Sequence, residues 1–161
     1  MIYPTYQTQT GTGEDGTDIG NCLVASIATI TGTPIADIPH FVEQYLEVFS
    51  TTVQAMTGDD WLTVLAGAQI WLTDQGFSSA AVEQSPAQFG AFGVPRLALV
   101  MAGGTVPHII VADQRGMQMW DPNPTSTEPY APADVLAMLE ITKTPVAGVT
   151  PVPEKGLRKW N

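Results

Sequence analysis

The sequence predicts an α+β fold, and three observations carry that prediction. The first half places apolar residues at helical spacing: Leu23, Val24, Ile27, Ala28 and Ile30, then Ile38 to Phe49, then Trp61 to Leu72. The second half carries short continuous apolar runs, Leu97 to Met101 and Val106 to Ala112, of the length of buried strands. Gln114-Arg115-Gly116 then makes a tight reversal into Met117 to Trp120, so that pair reads as a β-hairpin and the sheet as mostly antiparallel. Helices first and a sheet afterwards is the order of an α+β domain.

Each element has its own local reason. Residues 3–9 alternate threonine with aromatic residues and predict a short strand. Gly11 to Gly20 is rich in glycine and acidic residues and reads as a loop. Cys22 to Ile30 predicts a helix ended by Gly32 and Pro34. Ile35 to Phe49 predicts a second helical region, with Pro39 starting its main helix or splitting a short turn from it, and with Ile38, Phe41, Val42, Tyr45, Leu46 and Phe49 as its apolar face. His40 in that turn reads as structural. Gly58-Asp59-Asp60 is a turn with a cap candidate, and Trp61 to Gln75 is a helix closed by Gly76. Phe77 to Val82 is a strand, Ser85 to Pro95 is turn-rich, Pro132 to Ile141 reads as a short helix with proline at its first position, and Val146 to Val149 as a final strand.

Composition narrows the functional classes. At 161 residues and 44% hydrophobic, the chain is expected to be one domain, 1–161, with a loose tail from about residue 150. No apolar run reaches the roughly 18 residues of a membrane span, and Met1-Ile2-Tyr3-Pro4-Thr5-Tyr6 lacks the pattern of a signal peptide, so a cytoplasmic location and no membrane partner are expected. The net charge is −10, and only Lys155, Arg158 and Lys159 cluster, so no nucleic-acid partner is expected. One cysteine cannot form an internal disulfide. One cysteine and two histidines without His-x-x-x-His or Cys-x-x-Cys spacing predict no metal. Gly11-x-Gly13 completes neither a dinucleotide fingerprint nor a P-loop, so no cofactor is expected.

One constellation points to chemistry. Cys22 follows Gly20-Asn21 and opens a helix, where free backbone N–H groups and the dipole favour a thiolate. His108 opens a strand, and Asp121, in Trp120-Asp121-Pro122, lies just past the end of the hairpin, so the two can stand side by side at one sheet end. A lone cysteine with a distant histidine and a later aspartate is the minimum set for thiol nucleophilic catalysis: nucleophile, proton carrier and orienting carboxylate. Asn123 is an alternative orienting group. The plain readings are a buried small cysteine, a histidine packed between strands and an ordinary Asp-Pro turn. Trp61, Trp71, Trp120 and Tyr130 are candidates for a pocket lining or for the core.

In order and spacing, Gln7-Thr8, Gly20-Asn21-Cys22, Pro34-Ile35, Ile38-Pro39-His40-Phe41, His108 and Asp121-Pro122 resemble the papain-like fold in its small bacterial and phage forms. They are similar to C39-type cysteine peptidases and closer still to small phage-encoded proteins of this fold. The resemblance spans roughly residues 5–125. It implies Cys22 as nucleophile, His108 as general base and acid, Asp121 as the group orienting His108, and Gln7 or Gln9 as donor to an oxyanion beside the Cys22 N–H. It implies a thiol-dependent hydrolase or acyl transferase acting on an amide, isopeptide or ester carbonyl of a protein or peptide, in a host cytoplasm if phage-encoded. The alternative is a catalytically idle binding protein on the same scaffold, an accessory factor that docks a host protein.

Overall fold

The computed structural model describes residues 2–8, 20–85, 94–101 and 107–144. Among these residues the chain forms three α-helices, α1 (Cys22–Thr31), α2 (Phe41–Phe49) and α3 (Gly58–Asp74). They accompany a five-stranded antiparallel sheet of β1 (Phe77–Val82), β2 (Arg96–Val100), β3 (His108–Ala112), β4 (Gln118–Trp120) and β5 (Val135–Lys143), in the order β1-β5-β2-β3-β4. The α+β class is therefore as the sequence predicts.

Helix α1 is the most deeply set element, with Leu23 through Thr29 all buried. Burial of so much helix surface leaves its hydroxyls in need of partners. Thr29 Oγ1 donates to the Ala25 carbonyl at 2.9 Å, and Ser26 Oγ donates to the Ile109 carbonyl of β3 at 3.3 Å. Gly32 ends the helix at φ 73°, a left-handed conformation, and its N–H meets the Ala28 carbonyl at 2.8 Å. A Cβ at Gly32 would also stand 3.0 Å from the Tyr3 ring, so space and backbone conformation both require glycine there.

The chain next makes a 3-10 turn, Ile35–Asp37, before α2 begins, with Pro39 between the two. His40 caps α2, its Nδ1 accepting the Glu43 N–H at 3.3 Å. Phe41, Val42 and Leu46 face inward, whereas Phe49, expected on the same apolar face, is 58% exposed and stacks on Tyr45 at 4.5 Å. Helix α3 starts three residues before the periodic pattern, because Thr57 and Asp60 form a capping box that recruits Gly58 and Asp59 as its first turn. Trp61, Val64, Ala68 and Leu72 are its buried face.

The sheet is apolar on both sides. Leu97, Leu99, Ile109, Leu139 and Ile141 join the helices in the main core, while Ala98, Val100, Ile110, Ala112 and Met138 form a second cluster on the other face with Val82, Tyr130 and Val135. Two covered faces explain why β2 and β3 read as unbroken apolar runs rather than as alternation.

Two expected elements differ. Pro132 to Ile141 is not a helix: a 3-10 turn, Pro132–Asp134, is followed at once by β5, which pairs with β1 on one side and β2 on the other. Proline at the first position starts the turn and Asp134 caps it through the Ala131 N–H at 2.9 Å, but Leu139 and Ile141 point to the main core and Met138 to the second cluster, a two-residue period. Nor do residues 3–8, the described part of the strand expected at 3–9, join the sheet. Residues 2–8 run extended beside α1, with the Tyr3 N–H on the Thr29 carbonyl at 2.6 Å and the Thr5 N–H on Thr29 Oγ1 at 3.1 Å. The expected loop at Gly11 to Gly20, most of the turn-rich stretch, the strand at Val146 to Val149 and the tail lie wholly or mainly outside the described residues. Among the described residues no single helix is long and apolar enough to cross a membrane.

Leu72 is fully buried between α3 and the sheet. Leu72→Ala is expected to lower unfolding free energy by about 2–5 kcal/mol through lost burial and a residual cavity. Urea denaturation checks this.

Candidate active site

The three residues of the constellation come from α1, β3 and the end of β4, and the packing of those elements brings them together. Ser26, one turn into α1, bonds the carbonyl of Ile109, the residue after His108. Cys22, one turn earlier in α1, therefore arrives at the opening end of β3. The hairpin carries Asp121 to the same end, where His108 Nε2 and Asp121 Oδ1 are 2.7 Å apart. Nε2 is thus engaged with the carboxylate, and Cys22 lies near enough to the imidazole to act on its protonation. The thiol is half-buried, the His108 side chain is 18% exposed and the Asp121 side chain 6%, so water reaches the sulfur and imidazole but hardly the carboxylate.

Asp121 is fixed from a second direction by the Asn123 N–H, 2.8 Å from Oδ1. The Asn123 side chain turns away and accepts from the Thr125 N–H at 3.1 Å and from Thr125 Oγ1 at 2.9 Å. Of the two orienting groups open in the sequence, Asp121 is the one that meets the imidazole.

The electrostatics follow from this contact chain. Burial pulls the His108 pKa down, but the hydrogen bonds to Asp121 and Cys22, with the negative charge each carries when ionised, outweigh it and raise the value to about 10. Burial pushes Asp121 up, and its bonds to His108 and the Asn123 N–H more than reverse this, leaving the carboxyl below its usual range. The raised His108 pKa favours the imidazolium, and the lowered Asp121 pKa keeps the carboxylate beside it ionised.

Gln7 is brought to the same place by its backbone. Its N–H donates to the Pro122 carbonyl at 2.9 Å, next to Asp121. The following Thr8 is clasped by Asn21, the residue before Cys22: the Thr8 N–H donates to Asn21 Oδ1 at 3.0 Å, and Asn21 Nδ2 donates to Thr8 Oγ1 at 2.9 Å. Gln7 Oε1 is buried and has no hydrogen-bond partner among the described residues. Gln9 lies outside the described residues.

Tyr130, open in the sequence between a pocket lining and the core, stands beside the trio, and one further feature went unread. Tyr130 lies with its ring 5.7 Å from that of His108, and burial, then the charges of Asp121, Cys22 and Asp134, raise its pKa, so its hydroxyl stays protonated beside the trio. The Asn21–Thr8 clasp was hidden, although Asn21 stands where a helix cap is expected; its side chain does not cap α1 but holds the Gln7 segment. Trp61 is core, Trp71 half-buried against it, and Trp120 holds the N-terminal segment through Nε1 to the Thr5 carbonyl at 3.2 Å and a 4.8 Å contact with Tyr6. Among the described residues no group of three His, Cys, Asp or Glu side chains is arranged to hold a metal ion.

Protein-family models, curated proteins and solved structures were compared with the chain, and none matches it. Its chemistry rests on the side chains themselves.

The His108–Asp121 pair has a defined stability window. The His108 pKa is raised from 6.5 to about 10, so its contribution is full below 6.5 and is lost as pH rises through about 10. The lowered Asp121 pKa makes the contribution full above 3.8 and lost as pH falls through its folded value. The difference in unfolding temperature between wild type and His108→Gln is therefore expected to be largest between pH 3.8 and 6.5 and to shrink steadily towards pH 10. Thermal melts of both proteins across that range check it.

Proposed function

We propose that the chain is a papain-like thiol hydrolase or acyl transferase that opens an amide, isopeptide or ester carbonyl of a protein or peptide through a Cys22 thioester. The observation that carries this reading is the single file of contacts from Asp121 through His108 to Cys22, with the sulfur at the start of a buried helix. A histidine satisfied for packing alone has no need of a buried carboxylate on one nitrogen and the chain's one thiol nearby.

The chemistry runs in two halves. In the attacking form the proton is on His108 and the sulfur carries the electron pair that forms the new bond. Sγ attacks the carbonyl carbon, and the carbonyl oxygen takes up negative charge. The Cys22 backbone N–H, which has no intrahelical partner at a helix start, and the Gln7 side-chain amide are the donors that meet that oxygen. The carbon–nitrogen or carbon–oxygen bond then breaks, the imidazolium gives its proton to the leaving group, and the thioester remains. In the second half, neutral His108 takes a proton from water, or from an amine in transfer, as that nucleophile attacks the thioester; the sulfur leaves with the electron pair of the broken bond and the ion pair is restored. Asp121 holds the ring in the tautomer and orientation that both halves need.

Iodoacetamide is expected to modify Cys22 of the folded protein at neutral pH, and His108→Ala to slow that modification by at least about tenfold, since the ion pair is lost. With a fluorogenic peptide ester, His108→Ala is expected to lower kcat by about 10²–10⁴ and Cys22→Ala to abolish turnover. Asp121→Asn is expected to retain the thiol but lower kcat. A Cys22 that labels only on unfolding overturns the proposal, and partner capture that survives Cys22→Ala without any turnover favours the idle binding protein.

A further inference from the structure

The bond to Asp121 holds one atom of the His108 ring and leaves the plane of the ring open. Nε2 lies close to the line of the Cβ–Cγ bond. Rotation about that bond therefore keeps Nε2 near the carboxylate while it swings Nδ1 through an arc. The histidine torsion about this bond is broad, without sharp staggered wells to stop the swing. With Nε2 engaged at 2.7 Å, Nδ1 is the nitrogen that any proton exchange must use. Something besides Asp121 has to fix the plane.

Tyr130 lies against that ring. The two centroids are 5.7 Å apart and the planes are tilted by 35°. That separation falls within the roughly 4.5–7 Å at which aromatic rings attract one another. A cation gains more than a neutral group from a tyrosine ring within about 6 Å, because the face of the ring is negative. The contact therefore suits the imidazolium better than the neutral imidazole.

Tyr130 is itself held in place, and not by its hydroxyl. Its backbone N–H donates to Gln118 Oε1 at 3.0 Å, and Gln118 opens β4, the strand that leads into Asp121. Its ring packs on the second apolar cluster with Val100, Ile110 and Ala112. By strand alternation His108 stands on that same face of β3 as Ile110 and Ala112. Among the described residues the Tyr130 hydroxyl has no hydrogen-bond partner. What the surroundings fix is thus the ring.

We propose that Tyr130 is a positioning residue whose ring sets the plane of the His108 imidazole and favours its protonated form. The hairpin of β3 and β4 then carries the imidazole, the carboxylate that holds one of its nitrogens and, through Gln118, the anchor of the ring that holds its plane. Among the described residues the titratable groups that act on the imidazole are Asp121 from the end of β4 and Cys22 from α1, and Asp134 acts on Tyr130. Tyr130 is the neutral member of this set, since burial and the surrounding negative charges keep its hydroxyl protonated. Its bearing on turnover rests on the thiol chemistry proposed above, whereas its hold on the imidazole does not.

The test follows the His108 ring of the full chain by NMR titration, with His40, the other histidine, as a reference in the same spectra. Tyr130→Phe keeps the ring and is expected to leave both the His108 midpoint and the rate of Cys22 alkylation within about twofold of wild type. Tyr130→Leu fills the space without a flat face. It is expected to lower the His108 midpoint by roughly one pH unit, to leave that of His40 in place, and to slow iodoacetamide at neutral pH by about three- to tenfold. Tyr130→Met gives the same readout where thermal melts show that leucine disturbs folding. A His108 midpoint that is unchanged or raised in these variants overturns the proposal, and the thiol reading survives that result if wild-type Cys22 labels in a His108-dependent way. An equal loss in Tyr130→Phe also overturns it, because the hydroxyl is then the working group. A Cys22 that labels only on unfolding, with a His108 midpoint that still falls in Tyr130→Leu, ends the thiol reading and upholds Tyr130 as the residue that sets the imidazole.

Discussion

The packing of α1 against β3 is the constraint around which the molecule is arranged. Seven consecutive buried residues leave that helix no solvent face through its middle, so its position is set by the sheet beneath it and by the N-terminal segment laid along it. Its two ends then differ in kind. The far end is sealed by Gly32 under the Tyr3 ring, and the near end opens at Cys22 beside the imidazole. A side chain at the rim of a buried helix gains direction from packing that a surface helix lacks.

Electrostatics at the rim depend on that rigidity. His108 is buried enough for desolvation to be the largest single influence on it, and two acidic neighbours are needed to overcome that influence. The balance depends on distance. Losing the Asp121 contact would remove the larger of the two hydrogen bonds that raise the His108 pKa against burial. Asp121 is accordingly tied down by Asn123, Pro122 is buried behind it, and the Pro122 carbonyl is tied to Gln7. Each tie on the carboxylate is also a tie on the neighbouring groups of the site.

Much of this was legible in the sequence. Helices α1 and α3, the hairpin of β3 and β4, and strands β1 and β2 follow from periodicity, run length and glycine placement, all of which are local. The meeting of His108 and Asp121 was legible too, because a short hairpin fixes which residues stand together at its open end. What stayed hidden was set by distant partners. Val135 to Lys143 has the propensities of either element, and only insertion between β1 and β2 makes it a strand. Residues 3–9 alternate like a strand, but a helix rather than a sheet edge lies beside them, so the alternation acquires no ladder. Phe49 leaves the core because the stripe on α2 is wider than the surface available to cover it.

The place of β5 in the sheet also bears on how the protein comes into being. Strand β1 pairs only with β5, and β2 pairs with β5 and β3, so the latest of the described strands to be synthesised lies between two earlier ones. Until it is made, β1 has no neighbour and one edge of β2 is bare. A nascent chain carrying Cys22, His108 and Asp121 thus holds all three residues before it holds a closed sheet. Closure waits on contacts of long sequence separation, which form slowly. During that interval the three residues stand on a scaffold whose sheet is still open between β1 and β2. The order of synthesis thus places a delay between making the three residues and closing the sheet that carries two of their elements.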